Sequence, residues 1–158
     1  PSSDTPSHLA LYRHFAGIGG VAHTHSTYAT AWAQACRPLP CYGTTHADSF
    51  RGTVPVTAQL TEEALRGDYE LETGLAIVRA FGELDPLEMP AVLVASHGPF
   101  TWGPSAAKAV ENAIVLEQVA LMAAVCEGLA PGLPSVSDAL RDRHFLRKHG
   151  KDAYYGQG

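Results

Sequence analysis

A five-residue apolar run, Ala91-Val92-Leu93-Val94-Ala95, most constrains the fold. It is too short for a helix and shows no polar alternation, so it reads as a strand buried on both faces. Met89-Pro90 opens it and Ser96-His97-Gly98-Pro99 closes it. A strand covered on both sides needs helices above and below. The rest of the chain supplies them. Ser3, Asp4 or Thr5 can cap a helix with Pro6 in its first turn, in which Leu9, Tyr12 and Phe15 recur at helical spacing. Gly17, Gly19 and Gly20 stop it, and Val21 to His25 reads as a second strand. Ser26 caps a helix to about Cys36, which Arg37-Pro38-Leu39-Pro40 ends. Gly43 to Gly52 reads as irregular. Thr53 to Thr57 resembles an edge strand because it holds Pro55. Helices are expected over Thr73–Phe81, from Ser105 to about Cys126 with Val110, Ile114 and Leu121 in the apolar share, and over roughly Ser135–Lys148. This predicts an α/β fold, a layered domain over residues 1–158 with a central, largely antiparallel or mixed sheet flanked by helices.

The 158 residues suit one domain, and 46% hydrophobic with 17% charged residues suits a packed globule. A net charge of −5 argues against nucleic acid as a partner. No run of about 20 apolar residues is evident, so no membrane partner is expected. Cys36, Cys41 and Cys126 form no disulfide framework, which points to a reducing cytoplasm. The chain opens without Met and enters a helix almost at once, so it reads as lacking an N-terminal part.

The chain's eight histidines stand out. Residues two apart on a strand share a face, so His23 and His25 stand side by side, their Cα atoms ~7 Å apart. Two such imidazoles can converge on one ion. His97, at the end of the most strand-like segment, is either a third ligand or a buried strand-end histidine. Three histidines with an open position describe a catalytic metal site rather than a closed structural one. Asp4 could add an oxygen ligand, orient a histidine, or simply cap its helix. Asp48 sits in a polar stretch, Tyr154 and Tyr155 in a tail, and His144 and His149 on a basic helix. Trp102 reads as core. His8, His14 and His46 suggest only packing or solubility.

Five motifs occur in order: Pro1-Ser2-Ser3-Asp4-Thr5-Pro6, His23-Thr24-His25-Ser26, Gly43-Thr44-Thr45-His46-Ala47-Asp48, Ser96-His97-Gly98-Pro99-Phe100, and Arg147-Lys148-His149-Gly150 followed by Ala153-Tyr154-Tyr155-Gly156-Gln157. Together they resemble the L-ribulose-5-phosphate 4-epimerases of the class II aldolase/epimerase superfamily. The resemblance runs the length of the chain. It implies a cytoplasmic homotetramer with active sites at subunit interfaces. One divalent metal per subunit, zinc or manganese, is implied on His23, His25 and His97, with Asp4 close by. Ser2 and Ser3 would contact the substrate phosphate. Asp48 and Tyr155 would be the acid/base pair, the tyrosine reaching in from a neighbouring subunit, with His144 and Thr44 further active-site residues.

The implied reaction converts L-ribulose 5-phosphate, a phosphorylated pentulose, to D-xylulose 5-phosphate, as in arabinose or ascorbate breakdown. No carbonyl adjoins C4, so simple proton abstraction there is poor chemistry; retro-aldol cleavage and re-formation of the C3–C4 bond, assisted by a Lewis acid, solves this. Two proton-handling groups on opposite faces are needed. Sibling aldolases acting on fuculose or rhamnulose 1-phosphate carry Glu at the position matching Asp4, which favours the epimerase here. An inactive fragment is the other alternative. The resemblance also implies that a Gly/Ser phosphate loop precedes the residues given.

Overall fold

A computed structural model describes residues 2–155. Pro1 of the first motif, and Gly156 and Gln157 of the last, lie outside the described residues. Three short strands form one antiparallel sheet in the order β1-β3-β2, where β1 is Gly20–His23, β2 is Ala91–Leu93 and β3 is Pro99–Gly103. Gly20 pairs with Gly103 and His23 with Phe100, while Ala91 pairs with Thr101 and Leu93 with Pro99. β2 and β3 are thus a hairpin turned through Ala95–Gly98, with Ser96 in the left-handed region at φ 61°. Both strands are buried throughout, as the apolar run required for β2.

Seven helices surround the sheet among the described residues: α1 (Thr5–His14), α2 (Thr27–Gln34), α3 (Thr44–Ala47), α4 (Glu62–Arg66), α5 (Tyr69–Phe81), α6 (Ala106–Leu129) and α7 (Asp138–His149). The core joins Leu11, Phe15, Trp32, Ile77, Phe81, Phe100, Trp102 and Leu116 across these layers. Gly20 is where β1 meets the start of α6. A Cβ there would lie 2.4 Å from the Ala106 backbone, so only glycine permits the approach.

Several expectations give way. The buried side of α1 is Ser7, Ala10 and Leu11 against α5, whereas Leu9 and Tyr12 are exposed. His25 lies beyond the end of β1. The stretch expected to be irregular contains α3, and Thr53–Thr57 makes only isolated bridges, Val54 to Leu39 and Val56 to Leu93. β3 and α4 have no counterpart among the expected elements. The last helix starts at Asp138, capped by the Ser137 hydroxyl.

α6 differs most from expectation. Its buried side is Ala109, Asn112, Leu116, Val119, Ala120 and Ala123, while Val110 and Ile114 are exposed. Its 24 residues are long and apolar enough to cross a membrane by length and composition. That corrects the reading that no such segment exists. A core helix meets the same criterion, and α6 packs against β1, β3 and α2.

Candidate metal centre

His23 ends β1, His25 follows it before α2, and His97 sits in the β2–β3 turn. The sheet register brings them together, because His23 pairs with Phe100, three residues past His97. Their ring centroids form a nearly equilateral triangle: 4.9 Å from His23 to His25, 4.8 Å from His23 to His97 and 5.0 Å from His25 to His97. The rings stand at 74–89° to one another. One ring nitrogen from each lies within 4.8 Å of the others.

Packing fixes the array. The His23 ring stacks on Phe100 at 4.1 Å, and its Nδ1 lies 2.9 Å from the Pro99 carbonyl. A proton on Nδ1, donated to that carbonyl, leaves Nε2 bare. Gly98 keeps the space between the rings open. A Cβ there would come 2.9 Å from the Thr24 carbonyl oxygen and 3.2 Å from the His25 ring. Burial lowers the pKa of both His23 and His97; for His23 the Pro99 hydrogen bond works against burial, and neighbouring imidazoles add to it. Neutral imidazole is the form that ligates, so the pocket favours the metal-binding state over the protonated one. The donor set and its convergence fit a borderline divalent ion such as zinc.

Asp4 stands outside the histidine triangle. Its side chain accepts from the Ser2 hydroxyl at 3.2 Å, and its field acts on His8, His23 and His97. Asp4 is the N-cap residue of α1 but makes no side-chain capping bond. Ser2, Asp4, His8, Tyr12 and His23 line one groove beside the triangle, and Ser3 is an exposed neighbour.

The remaining candidates form a second cluster. Asp48 caps the C-terminus of α3, whose first residue is Thr44. The Asp48 carboxylate accepts both nitrogens of an Arg147 fork at 2.8–3.2 Å and lies 3.0 Å from His144 Nδ1. Burial pushes the Asp48 pKa up, but these bonds and the Lys148 charge outweigh it and hold the carboxyl below its ordinary value. The Arg147 guanidinium lies 4.6 Å from the Tyr155 ring centre, and His149 Nε2 donates to the Asp48 carbonyl. Asp48, Lys148 and His149 line a hollow with Gly103 and Pro104. That is the opposite end of β3 from Phe100, about 10 Å along the strand.

Residues 1–124 match the family described as the class II aldolase and adducin N-terminal domain. The chain belongs to that family. This class II aldolase-type chain is 55% identical over 157 residues to the L-ribulose-5-phosphate 4-epimerase UlaF of Salmonella paratyphi A (strain ATCC 9150 / SARB42), and equally to that of Salmonella typhi. The match covers 99% of this chain and 69% of each relative. An L-fuculose 1-phosphate aldolase shares the fold, with a TM-score of 0.75 at 23% identity over 91% of this chain and 62% of that one. The L-fuculose 1-phosphate aldolase from Glaciozyma antarctica PI12 does so at 0.70 and 19% identity, over 93% of this chain and 51% of the other. The chain therefore spans less than two thirds of the length of these two solved structures.

Sequence reasoning missed Tyr69, whose hydroxyl lies 3.3 Å from His97 Nδ1. No local signal marks it. In the sequence Arg147 stands only within a motif; its bond to Asp48 depends on how α7 docks on α3.

Proposed function

We propose that the protein carrying these residues is a metal-dependent L-ribulose-5-phosphate 4-epimerase that interconverts L-ribulose 5-phosphate and D-xylulose 5-phosphate. The observation that carries this reading is the triangle of three mutually perpendicular imidazoles, in a chain 55% identical to enzymes of that name. His23, His25 and His97 hold one divalent ion, zinc or manganese, with Asp4 nearby. The ion supplies Lewis acidity toward the sugar oxygens when bound. Ser2 and Ser3, beside the groove that reaches His23, bind the phosphate. Asp48 and Tyr155 move the proton of the C4 hydroxyl on opposite faces of the sugar. His144 keeps Asp48 hydrogen-bonded, and Thr44 completes the site.

Asp48 and Tyr155 share Arg147 as a partner, and their cluster sits at the other end of β3 from the histidines. The two halves of a site therefore meet between copies of the chain, in a homotetramer. Exposed Val110, Ile114, Met122 and Val125 on α6 offer apolar surface for such assembly. Three free cysteines suit the reducing cytoplasm.

The test is to incubate the full-length protein with L-ribulose 5-phosphate. Formation of D-xylulose 5-phosphate, abolished by a chelator and restored by zinc or manganese, is the expected result. Accumulation of free glycolaldehyde phosphate instead would assign an aldolase. A protein that binds no divalent ion through His23, His25 and His97 would overturn the reading.

A further inference from the structure

We propose that Tyr69 is a positioning residue for the third metal ligand, fixing His97 with Nδ1 protonated and Nε2 turned to the ion. The inference rests on the three histidines being ligands.

The three rings are held unequally. His23 belongs to a strand, stacks on Phe100 and has the Pro99 carbonyl on its Nδ1. His97 belongs to a turn whose preceding residue, Ser96, is left-handed. Backbone bonds secure that turn, from the Ser96 N–H to the Ala33 carbonyl and from the His97 N–H to the Val94 carbonyl. They fix the peptide but make no bond to the imidazole. The hydrogen-bond partner of the His97 side chain among the described residues is Tyr69, whose oxygen lies 3.3 Å from Nδ1.

Tyr69 is itself held firmly. It is the first residue of α5, capped by the Asp68 carboxylate, which accepts from the Leu71 N–H at 3.1 Å. Gly74 lets α5 lie directly on α1, where a Cβ would come 2.7 Å from Ala10 and 2.9 Å from the Ser7 backbone. The Ser7 hydroxyl bonds the Glu70 carbonyl, next to Tyr69 in the chain. The first turn of α5 is therefore fixed relative to α1, and the Tyr69 ring approaches His97 with centroids 6.2 Å apart.

The chemistry follows from the two ring nitrogens. An imidazole that ligates through Nε2 carries its proton on Nδ1 and gains from an acceptor there. The phenol oxygen of Tyr69 is that acceptor, and the Pro99 carbonyl does the same for His23. Losing such a partner typically weakens metal binding by about 10–100-fold.

The experiment compares the wild-type protein with Tyr69→Phe, which keeps the ring and removes the acceptor. Affinity for zinc is read by competition with a chromogenic chelator, and ligand geometry by the visible bands of cobalt(II). The expected result is a loss of zinc affinity of about 10–100-fold with an altered cobalt spectrum and an unchanged apo melting temperature. Equal zinc affinity and identical cobalt bands would overturn the role of Tyr69 while leaving the metal site standing. If wild type and His97→Ala bind zinc alike, the ligand reading itself fails. Should Tyr69→Phe not fold, two-bond proton–nitrogen NMR on the wild-type apo protein decides. A His97 proton on Nδ1 supports the inference and one on Nε2 overturns it.

Discussion

The Nε2 atoms of His23 and His25 stand 3.1 Å apart. Two nitrogens bound at about 2.05 Å to one tetrahedral ion are about 3.3 Å apart, so this pair is already close to ligand spacing. Gly98 keeps it so, because a Cβ at that position would press on the Thr24 carbonyl and the His25 ring. Gly98→Ala should therefore cost about 1–3 kcal/mol of stability from overpacking and weaken zinc at least about tenfold by spreading the rings. Urea denaturation of the apo protein and chelator competition measure the two effects. Unchanged zinc affinity would mean that the rings tolerate the intrusion.

His25 depends on a distant helix. It stands two residues before α2, whose N-cap, Ser26, makes no side-chain capping bond. The Glu117 carboxylate, from α6, caps α2 instead, accepting from the Tyr28 N–H at 2.9 Å and the Ala29 N–H at 2.9 Å. Burial raises the Glu117 pKa, but these bonds and one from Ser26 outweigh it and hold the carboxyl low. Removing a cap costs about 1 kcal/mol. Glu117→Ala should lower the unfolding free energy by that amount, seen as a lower urea midpoint at an unchanged slope, and should weaken zinc several-fold through a looser His25. A midpoint equal to wild type would show that Ser26 takes over the cap.

Much of this was legible in the sequence where local chemistry decides structure. Pro6 at the start of α1, Ser105 before α6 and the His-x-His pair each carry their own signal. β3 carries none. Pro99-Phe100-Thr101-Trp102-Gly103 begins with proline, ends with glycine and alternates only over Phe100-Thr101-Trp102, and both its faces are buried by packing that only the sheet order supplies. Thr44-Thr45-His46-Ala47 is a poor helix on propensity, yet α3 forms against α7. Periodicity also could not choose the buried side of α6. That helix is apolar nearly all round, so Val110 and Ile114 look like core residues until neighbours are known. The same holds for the metal centre. The sequence names its histidines, but the partners that orient them, Pro99, Phe100 and Tyr69, depend on register and helix docking.

Burial pushes the His46 pKa down to about 4, partly offset by its bond to the Gly52 carbonyl. His46 is thus neutral in the fold, while in the unfolded chain it takes a proton near pH 6.5. Stability from this residue is complete above about pH 6.5, falls as pH drops toward 4, and levels off below. The loss is on the order of 3 kcal/mol. His8, His23 and His97 are lowered too and act in the same direction. Asp48 has its carboxyl lowered, so its contribution is lost only at more acid pH. Comparing urea stability of wild type and His46→Gln from pH 7 to pH 4.5 isolates the residue. The variant should show the shallower decline, and parallel profiles would exclude His46 as a cause.

Arg147 grips both oxygens of Asp48, and its guanidinium lies over Tyr155. Lysine keeps the charge but cannot reproduce the planar fork. Arg147→Lys should lower kcat about tenfold or more through misplacement of Asp48 and Tyr155, the proposed acid/base pair, with metal content unchanged. It should also be strongly non-additive with Asp48→Asn, since the second change removes the partner of the first. Steady-state kinetics on the two single variants and the double variant test this. Additive losses would separate Arg147 from Asp48 functionally.

The distance between the two clusters makes a sharper demand on the assembly. On the proposed function, each site takes its histidines from one chain and its Asp48–Tyr155 pair from another, so two different inactive chains are expected to repair each other. His97→Ala retains the acid/base cluster, and Tyr155→Phe retains the metal ligands. Unfolding and refolding the two together should restore activity to about a quarter of wild type by random assortment of subunits in a symmetric oligomer. Mixing chains of the same variant should restore none. If mixed refolding also gives no recovery while the tetramer reforms, both halves of the site must come from a single chain, and the Asp48 cluster would have to lie at the histidines rather than at the far end of β3.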